Sequence, residues 1–472
     1  MSENNSAAIK LSGPQILSIC LISLGYFVAL LDLTLINVAI PKISEQLGLS
    51  LAQVFWVTNG FGLGMCPAML VSAALASRYG SKAVFLGGLG ALCVASAFGA
   101  LAPSAAVLVV ARVAQGVAAG LLAPQSMTLV SQLVPAEAKG RALGIWGTVS
   151  GLASIAGPAV GGLVVAAWGW RGVFWLSVSV ALIALCASIR VHTPRPKPGA
   201  RTDLAGLVSG TIALTALTFV FLSLAGGDGA AYALAGLAVT AVAGVAFWWG
   251  ERRQRSQESL VPPALWRATG FWSYTGASLF VGLAVFCVTF LTSVTAQTHW
   301  GLSPAQAGLL LVPASLASVV LAPFAGRQLD KGRGRGVVIG GFAASMVAIV
   351  LVALTVAVSG AWWWLAPVLA LFGAGNGMLV SPLSALGLHG AGPAFTNQAS
   401  TLLTLARQMG AVIGGGLLGM SMAAVAPEEG IQQVGTTALI SACAIPLLAL
   451  VAGTILTLVA GSKRRDSAVD SL

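Results

Sequence analysis

Apolar residues in this chain come in blocks of roughly twenty, parted by short polar turns, over almost its whole length. As helix, at 1.5 Å rise per residue, about twenty residues cover the ~30 Å hydrocarbon layer of a bilayer. With 57% apolar residues and only 8% charged ones, the chain lacks the polar surface that a water-soluble fold requires. The expected fold class is therefore all-α integral membrane.

Hydropathy, broken by Gly, Pro and charge, predicts a first set of six spans near 14–40, 52–76, 83–102, 105–126, 141–167 and 171–190. Two more are expected near 204–225 and 230–250. A second set of six follows near 271–297, 305–325, 335–356, 362–384, 398–423 and 436–460, for fourteen in all. The implied organisation is a tail over 1–13, a bundle over 14–190 and a linker with two extra transmembrane helices over 191–267. A second bundle over 268–460 and a tail over 461–472 complete it. The first block contains Asp32 and lacks a small-residue cleavage site, so it is expected to stay as a helix rather than leave as a signal peptide.

Of the 24 Lys and Arg residues, all but Lys42, Arg171, Arg112 and Arg407 fall on one side of this alternating map. That asymmetry predicts a multi-pass cell-membrane protein with both termini in the cytoplasm. The +11 net charge is thereby a matter of topology, and no nucleic-acid partner is expected. The six cysteines (Cys20, Cys66, Cys93, Cys186, Cys287, Cys443) lie in apolar blocks without zinc or disulfide spacing. The three histidines (His192, His299, His389) sit in loops or at helix ends, so no metal site is expected.

The two sets of six echo each other. The fourth spans end in Gly120-Leu-Leu-Ala-Pro124 and Gly377-Met-Leu-Val-Ser-Pro382, and the fifth carry Gly157-Pro-Ala-Val-Gly-Gly162 and Gly410-Ala-Val-Ile-Gly-Gly-Gly416. Duplicated six-helix halves are the plan of transporters that hold cargo between the halves near the bilayer midplane.

A charge within a span is costly unless paired or hydrated, which makes each one a functional hypothesis. Asp32 is the only acid this map places deep in a span; it shares a helical face with Gly25, Ala29 and Ala39. Arg112, on a face with Gln115 and Gly116, reaches a similar depth, so the two are expected to meet. One reading makes them a proton-coupling pair, the other a permanent lock between two helices. Arg407 in the thirteenth span is a candidate for anionic cargo groups or for exposed carbonyls. Gly147, Gly151, Gly157, Gly161 and Gly162 around Pro158 predict a kinked, closely packed fifth span. Tyr26, Asn37, Trp56, Asn59, Gln115, Gln125, Trp146, Asn376, Arg407 and Gln408 are candidates for an amphipathic cargo cavity, with packing roles equally open.

Leu31-Asp-Leu-Thr-Leu-Ile-Asn-Val-Ala-Ile-Pro41, Arg112-Val-Ala-Gln-Gly116, Gly157 to Gly162, Trp168-Gly-Trp-Arg-Gly-Val-Phe174 and Ala406-Arg-Gln-Met-Gly410 resemble motifs of the fourteen-span drug:proton antiporters of the major facilitator superfamily. The resemblance implies two six-helix bundles plus two inserted helices, proton coupling at Asp32 and Arg112, and an export role for the fifth-span motif. The loop Ser77-Arg78-Tyr79-Gly80-Ser81-Lys82 is similar to the family's cytoplasmic gate but has Ser77 in place of the usual aspartate and Ser81 in place of a basic residue. Its counterpart, around Asp330 and Arg333, keeps an acid that is expected to cap a helix or pair with an Arg, or else to be solvated.

The implied function is export of lipophilic, neutral or monocationic drug-like compounds in exchange for protons. A dedicated exporter of one metabolite or self-made antibiotic is the alternative, and a proton-coupled importer a further one. No cofactor is expected beyond the proton gradient, and the expected partners are small lipophilic molecules, protons and membrane lipids around a monomer. No nucleophile motif, acid pair or His/Cys cluster at depth points to an enzyme.

Overall fold

A computed structural model describes residues 11–49, 51–191, 204–226, 230–253, 261–302, 304–358, 361–425 and 436–469. His192 and parts of the expected tails and linker lie outside the described residues, as do the side-chain surroundings of Asn37, Gly151 and Pro158. Every regular element among the described residues is helical. The first half comprises α1 (Gly13–Leu47), α2 (Leu51–Tyr79), α3 (Ser81–Ala100), α4 (Ala105–Gln132) and α5 (Lys139–Ile189). Then come α6 (Leu204–Gly226), α7 (Ala230–Arg253) and the single-turn α8 (Pro263–Arg267). The second half comprises α9 (Thr269–Thr298), α10 (Pro304–Leu309), α11 (Val312–Asp330), α12 (Gly334–Ala357), α13 (Leu365–Ala391), α14 (Thr396–Val425), α15 (Thr436–Ala442) and α16 (Ala444–Val469).

Twelve of these helices, among the described residues, are long and apolar enough to cross a bilayer, two fewer than the fourteen expected. The difference arises at two places. Helix α5 runs for 51 residues, about 76 Å at helical rise and more than two bilayer cores long; Val160–Ile189 within it qualifies, and several side chains of its first arm lie outside the described residues. It is broken at Gly169, whose φ of 69° and ψ of −176° lie where a side chain is strongly disfavoured, so the expected fifth and sixth spans form two arms about that glycine. Helix α6 runs for 23 residues, about 35 Å at helical rise, and carries the apolar stretch Ala205–Phe221.

The halves repeat one packing scheme. In the first, α1 lies on α5, and α2 and α3 lie on α4; in the second, α9 lies on α14, and α11 and α12 lie on α13. Proline sits inside each corresponding helix of the second and fourth pairs: Pro67 and Pro323, Pro124 and Pro382. Close approach relies on glycine. A Cβ at Gly116 or Gly120 would strike the backbone of Phe61 or Met65 on α2, and one at Gly373 or Gly377 that of Ala314 or Ser318 on α11. The halves meet through α5 on α11 and α13, and through α14 on α2 and α4. Helices α6 and α7 form a hairpin, with α6 against α2 and α14.

Candidate functional site

Two polar clusters sit within this apolar body, one inside the first half and one between the halves. Asp32, halfway along α1, is 1% exposed, and Arg112 on α4 is fully buried. Their charged groups approach to 3.4 Å, longer than a tight charge-assisted bond. The closest partner of Asp32 is instead the hydroxyl of Ser177 on the second arm of α5, which donates to Oδ1 at 2.7 Å. The guanidinium of Arg112 is spread over several acceptors. Nε donates to the Val57 carbonyl at 3.1 Å, and Nη1 to Gln115 Oε1 at 2.9 Å as well as to Asp32. Gln115 in turn donates to Ser96 Oγ at 2.9 Å, the Phe61 ring lies 4.9 Å under the guanidinium, and Nη2 has no partner. Helices α1 to α5 thus all contribute to one buried network, and the depth match read from the sequence corresponds to a contact.

Ser177 and Ser96 were invisible to that reading. Serine is unremarkable in a membrane span, and Ser177 is 145 residues from its partner. A second buried acid lies at a span end: Glu251, one residue inside the end of Tyr232–Arg252, is only 3% exposed and accepts from the Val261 amide at 3.3 Å.

The second cluster joins the halves. Tyr26 of α1 stacks on Trp146 of α5, with ring centroids 4.8 Å apart and planes 7° from parallel. Arg407 of α14 reaches across, its Nη2 donating to the Tyr26 hydroxyl at 3.3 Å and its guanidinium 5.5 Å from the Trp146 ring centre. Trp146 Nε1 donates to Ser126 Oγ at 3.1 Å, and Gln408 faces the Met65 sulfur at 3.3 Å.

The remaining candidates scatter. Gln125 is fully buried and donates to Ser72, whereas Trp56 is half-buried against Phe219 on α6. Asn59 and Asn376 are half-buried, and Asn376 Oδ1 has no partner. Gly157 packs against Thr34 of α1, Gly161 is buried, and Gly162 faces open space. Among the described residues no group of acids, histidines and cysteines is arranged for a metal.

At the end of the molecule rich in Lys and Arg, the halves are latched. Asp330, the last residue of α11, accepts from Arg141 Nε at 2.8 Å and from the Gly140 amide at 3.1 Å, so it caps the free first turn of α5 from across the interface. Of the alternatives open for Asp330, it takes up both the helix cap and an Arg pairing, with Arg141 as the partner, while Arg333 is exposed. Nor do the other expected gate residues meet Asp330. Arg78 stacks over Tyr79, Gly80 (φ 87°) starts α3, and Lys82 donates to the Ile189 and Val191 carbonyls at the end of α5. Around the latch a Cβ on Gly140 or Gly326 would strike the other's carbonyl oxygen. Ser381 donates to Leu143 O at 3.2 Å, Asn397 to Ala73 O at 3.1 Å, and Thr128 bonds Ser400.

Solved structures share this architecture. The fold matches that of a human organic anion transporter with a TM-score of 0.66 at 15% identity, covering 94% of this chain and 100% of that one. It matches a proton:xylose symporter equally, at 13% identity over 92% and 94%. Curated relatives are nearer in sequence. The methylenomycin A resistance protein of Streptomyces coelicolor is 31% identical, covering 86% of both chains. An uncharacterized MFS-type transporter of Mycobacterium tuberculosis is 33% identical over 83% of this chain and 67% of its own. The tetracenomycin C resistance and export protein of Streptomyces glaucescens is 31% identical over 68% and 60%. The family profile covers residues 22–415, a multi-pass membrane transporter fold and not an enzyme scaffold: the chain belongs to the Major Facilitator Superfamily.

Proposed function

We propose that this protein exports small lipophilic molecules in exchange for protons, by alternating access between bundles at 14–190 and 268–460. In this reading the first arm of α5 and α6 cross the cell membrane beside the twelve qualifying segments, giving fourteen crossings with both termini cytoplasmic. The one-sided distribution of Lys and Arg supports that orientation. Relatives named for resistance and export support the direction of transport.

The observation that carries the reading is the buried network of Asp32, Ser177 and Arg112. A carboxylate shut away from water, beside a guanidinium with an unused donor, is sensitive to any motion that admits water or shifts one partner. Ser177 on the second arm of α5 and Arg112 on α4 make rearrangement of the first bundle the event that opens it. The latch at Asp330 closes the cytoplasmic side, so this conformation belongs to the outward-accessible or sealed part of the cycle.

A monocationic cargo, one of the two charge states expected, presupposes that Asp32 reaches it; with Asp32 held inside the first bundle by Ser177 and Arg112, that premise has no support. The decisive experiment reconstitutes wild type and Asp32→Asn in proteoliposomes and follows substrate-driven proton release. The variant is expected to be folded and to release none; proton release equal to wild type would remove Asp32 from the coupling step.

A further inference from the structure

Arg407 has a role that proton exchange leaves unused. It lies where the halves meet, in contact with α1 and α5 of the opposite half, and is half-buried. Among the described residues it takes part in no ion pair, since the three formed are Lys42–Glu45, Arg112–Asp32 and Arg141–Asp330. The buried acids Asp32 and Glu251 lie elsewhere, within the first-half network and on α7, and the half-buried Asp330 is engaged at the latch. A guanidinium at mid-span without a countercharge is costly to keep and holds its site positive.

Its present partner is a weak one. The Tyr26 hydroxyl accepts one neutral hydrogen bond at 3.3 Å, whereas the planar fork of an arginine matches both oxygens of a carboxylate. Next to it the stacked Tyr26 and Trp146, 2% and 0% exposed, form a rigid aromatic wall that is already desolvated. Trp146 is further fixed by its bond to Ser126. A cation beside an aromatic wall selects two features in one molecule: an acidic group and a flat apolar body.

Resting on the export reading above, we propose that the cargo is a lipophilic acid, its carboxylate taken by Arg407 in place of the Tyr26 hydroxyl and its ring system set against the Tyr26 and Trp146 rings as the halves part and uncover them. An aromatic cation of the same shape is repelled by Arg407, and the neutral analogue keeps only the ring contact.

The test uses purified full-length protein in detergent and three fluorescent probes of one shape, 9-anthracenecarboxylate, 9-anthracenecarboxamide and 9-(aminomethyl)anthracene, followed by anisotropy. Wild type is expected to bind the acid about tenfold more tightly than the amide and the amine most weakly, the scale of one charge-assisted hydrogen bond. Arg407→Gln should erase the preference while leaving amide affinity in place, and Arg407→Lys should keep part of it. Equal binding of all three by wild type, retention of none, tightest binding of the amine, or an equal loss for every probe in a monodisperse Arg407→Gln protein would each overturn the proposal. Binding is read without a gradient, so failure of proton-driven export leaves these affinities untouched, and their failure leaves export standing.

Discussion

The two halves differ most where they match best. Arg112 stands four residues before Gly116, and Leu369 four residues before Gly373; both are fully buried, and both glycines press onto the backbone of the neighbouring helix. The same crossing therefore forms around a guanidinium in one half and an aliphatic chain in the other. Packing at this depth needs the small residues and has no need of the charge. A buried ion pair adds little stability over a well-packed apolar pair, which leaves the Asp32–Arg112 pair to be explained by what it does.

The largest effect should come from making the halves alike. Arg112→Leu leaves Asp32 without its cation and is expected to cost about 3–5 kcal/mol, read as a lower Tm in detergent, and to abolish proton release. Adding Asp32→Leu should restore most of the Tm and none of the coupling; a double variant as unstable as the single one would break the comparison. Next, Gly116→Val and Gly373→Val each force a side chain against backbone and should lower folded yield to a similar degree, by about 1–3 kcal/mol or more in thermal unfolding. A large inequality would show that one half carries the fold.

A smaller effect, about 1 kcal/mol or roughly fivefold in population, is expected for Asp330→Asn, which loosens a partly exposed latch. It should speed labelling of Leu143→Cys by a water-soluble maleimide, since Leu143 is fully buried at the closed interface. Unchanged labelling would assign the seal to backbone packing alone. Lys42→Ala should change neither Tm nor transport, because the Lys42–Glu45 pair lies open to solvent.

Much of this was legible from the chain itself. Block length and hydropathy located the helices, and the shared depth of Asp32 and Arg112 anticipated their contact. The break expected between 167 and 171 falls on Gly169, where α5 bends without leaving helical structure on either side. Helix-end residues were harder. Glu251 draws no attention at the end of an apolar block until the Val261 amide is seen against it, and the arginine that pairs with Asp330 lies 189 residues away, where a loop motif cannot name it. Long-range pairing of ordinary side chains such as Ser177 leaves no periodicity to read.

The facing glycines at 140 and 326 set the closing distance of the Lys- and Arg-rich end. Two main chains touch there with no rotamer between them, so the shut position is defined by a hard stop and does not soften as side chains hop. Any larger residue at either point would act as a doorstop, holding the entrance ajar by the width of a methyl group and tilting the resting balance toward opening on that side. The rest position is thereby tunable at two residues that carry no side chain at all.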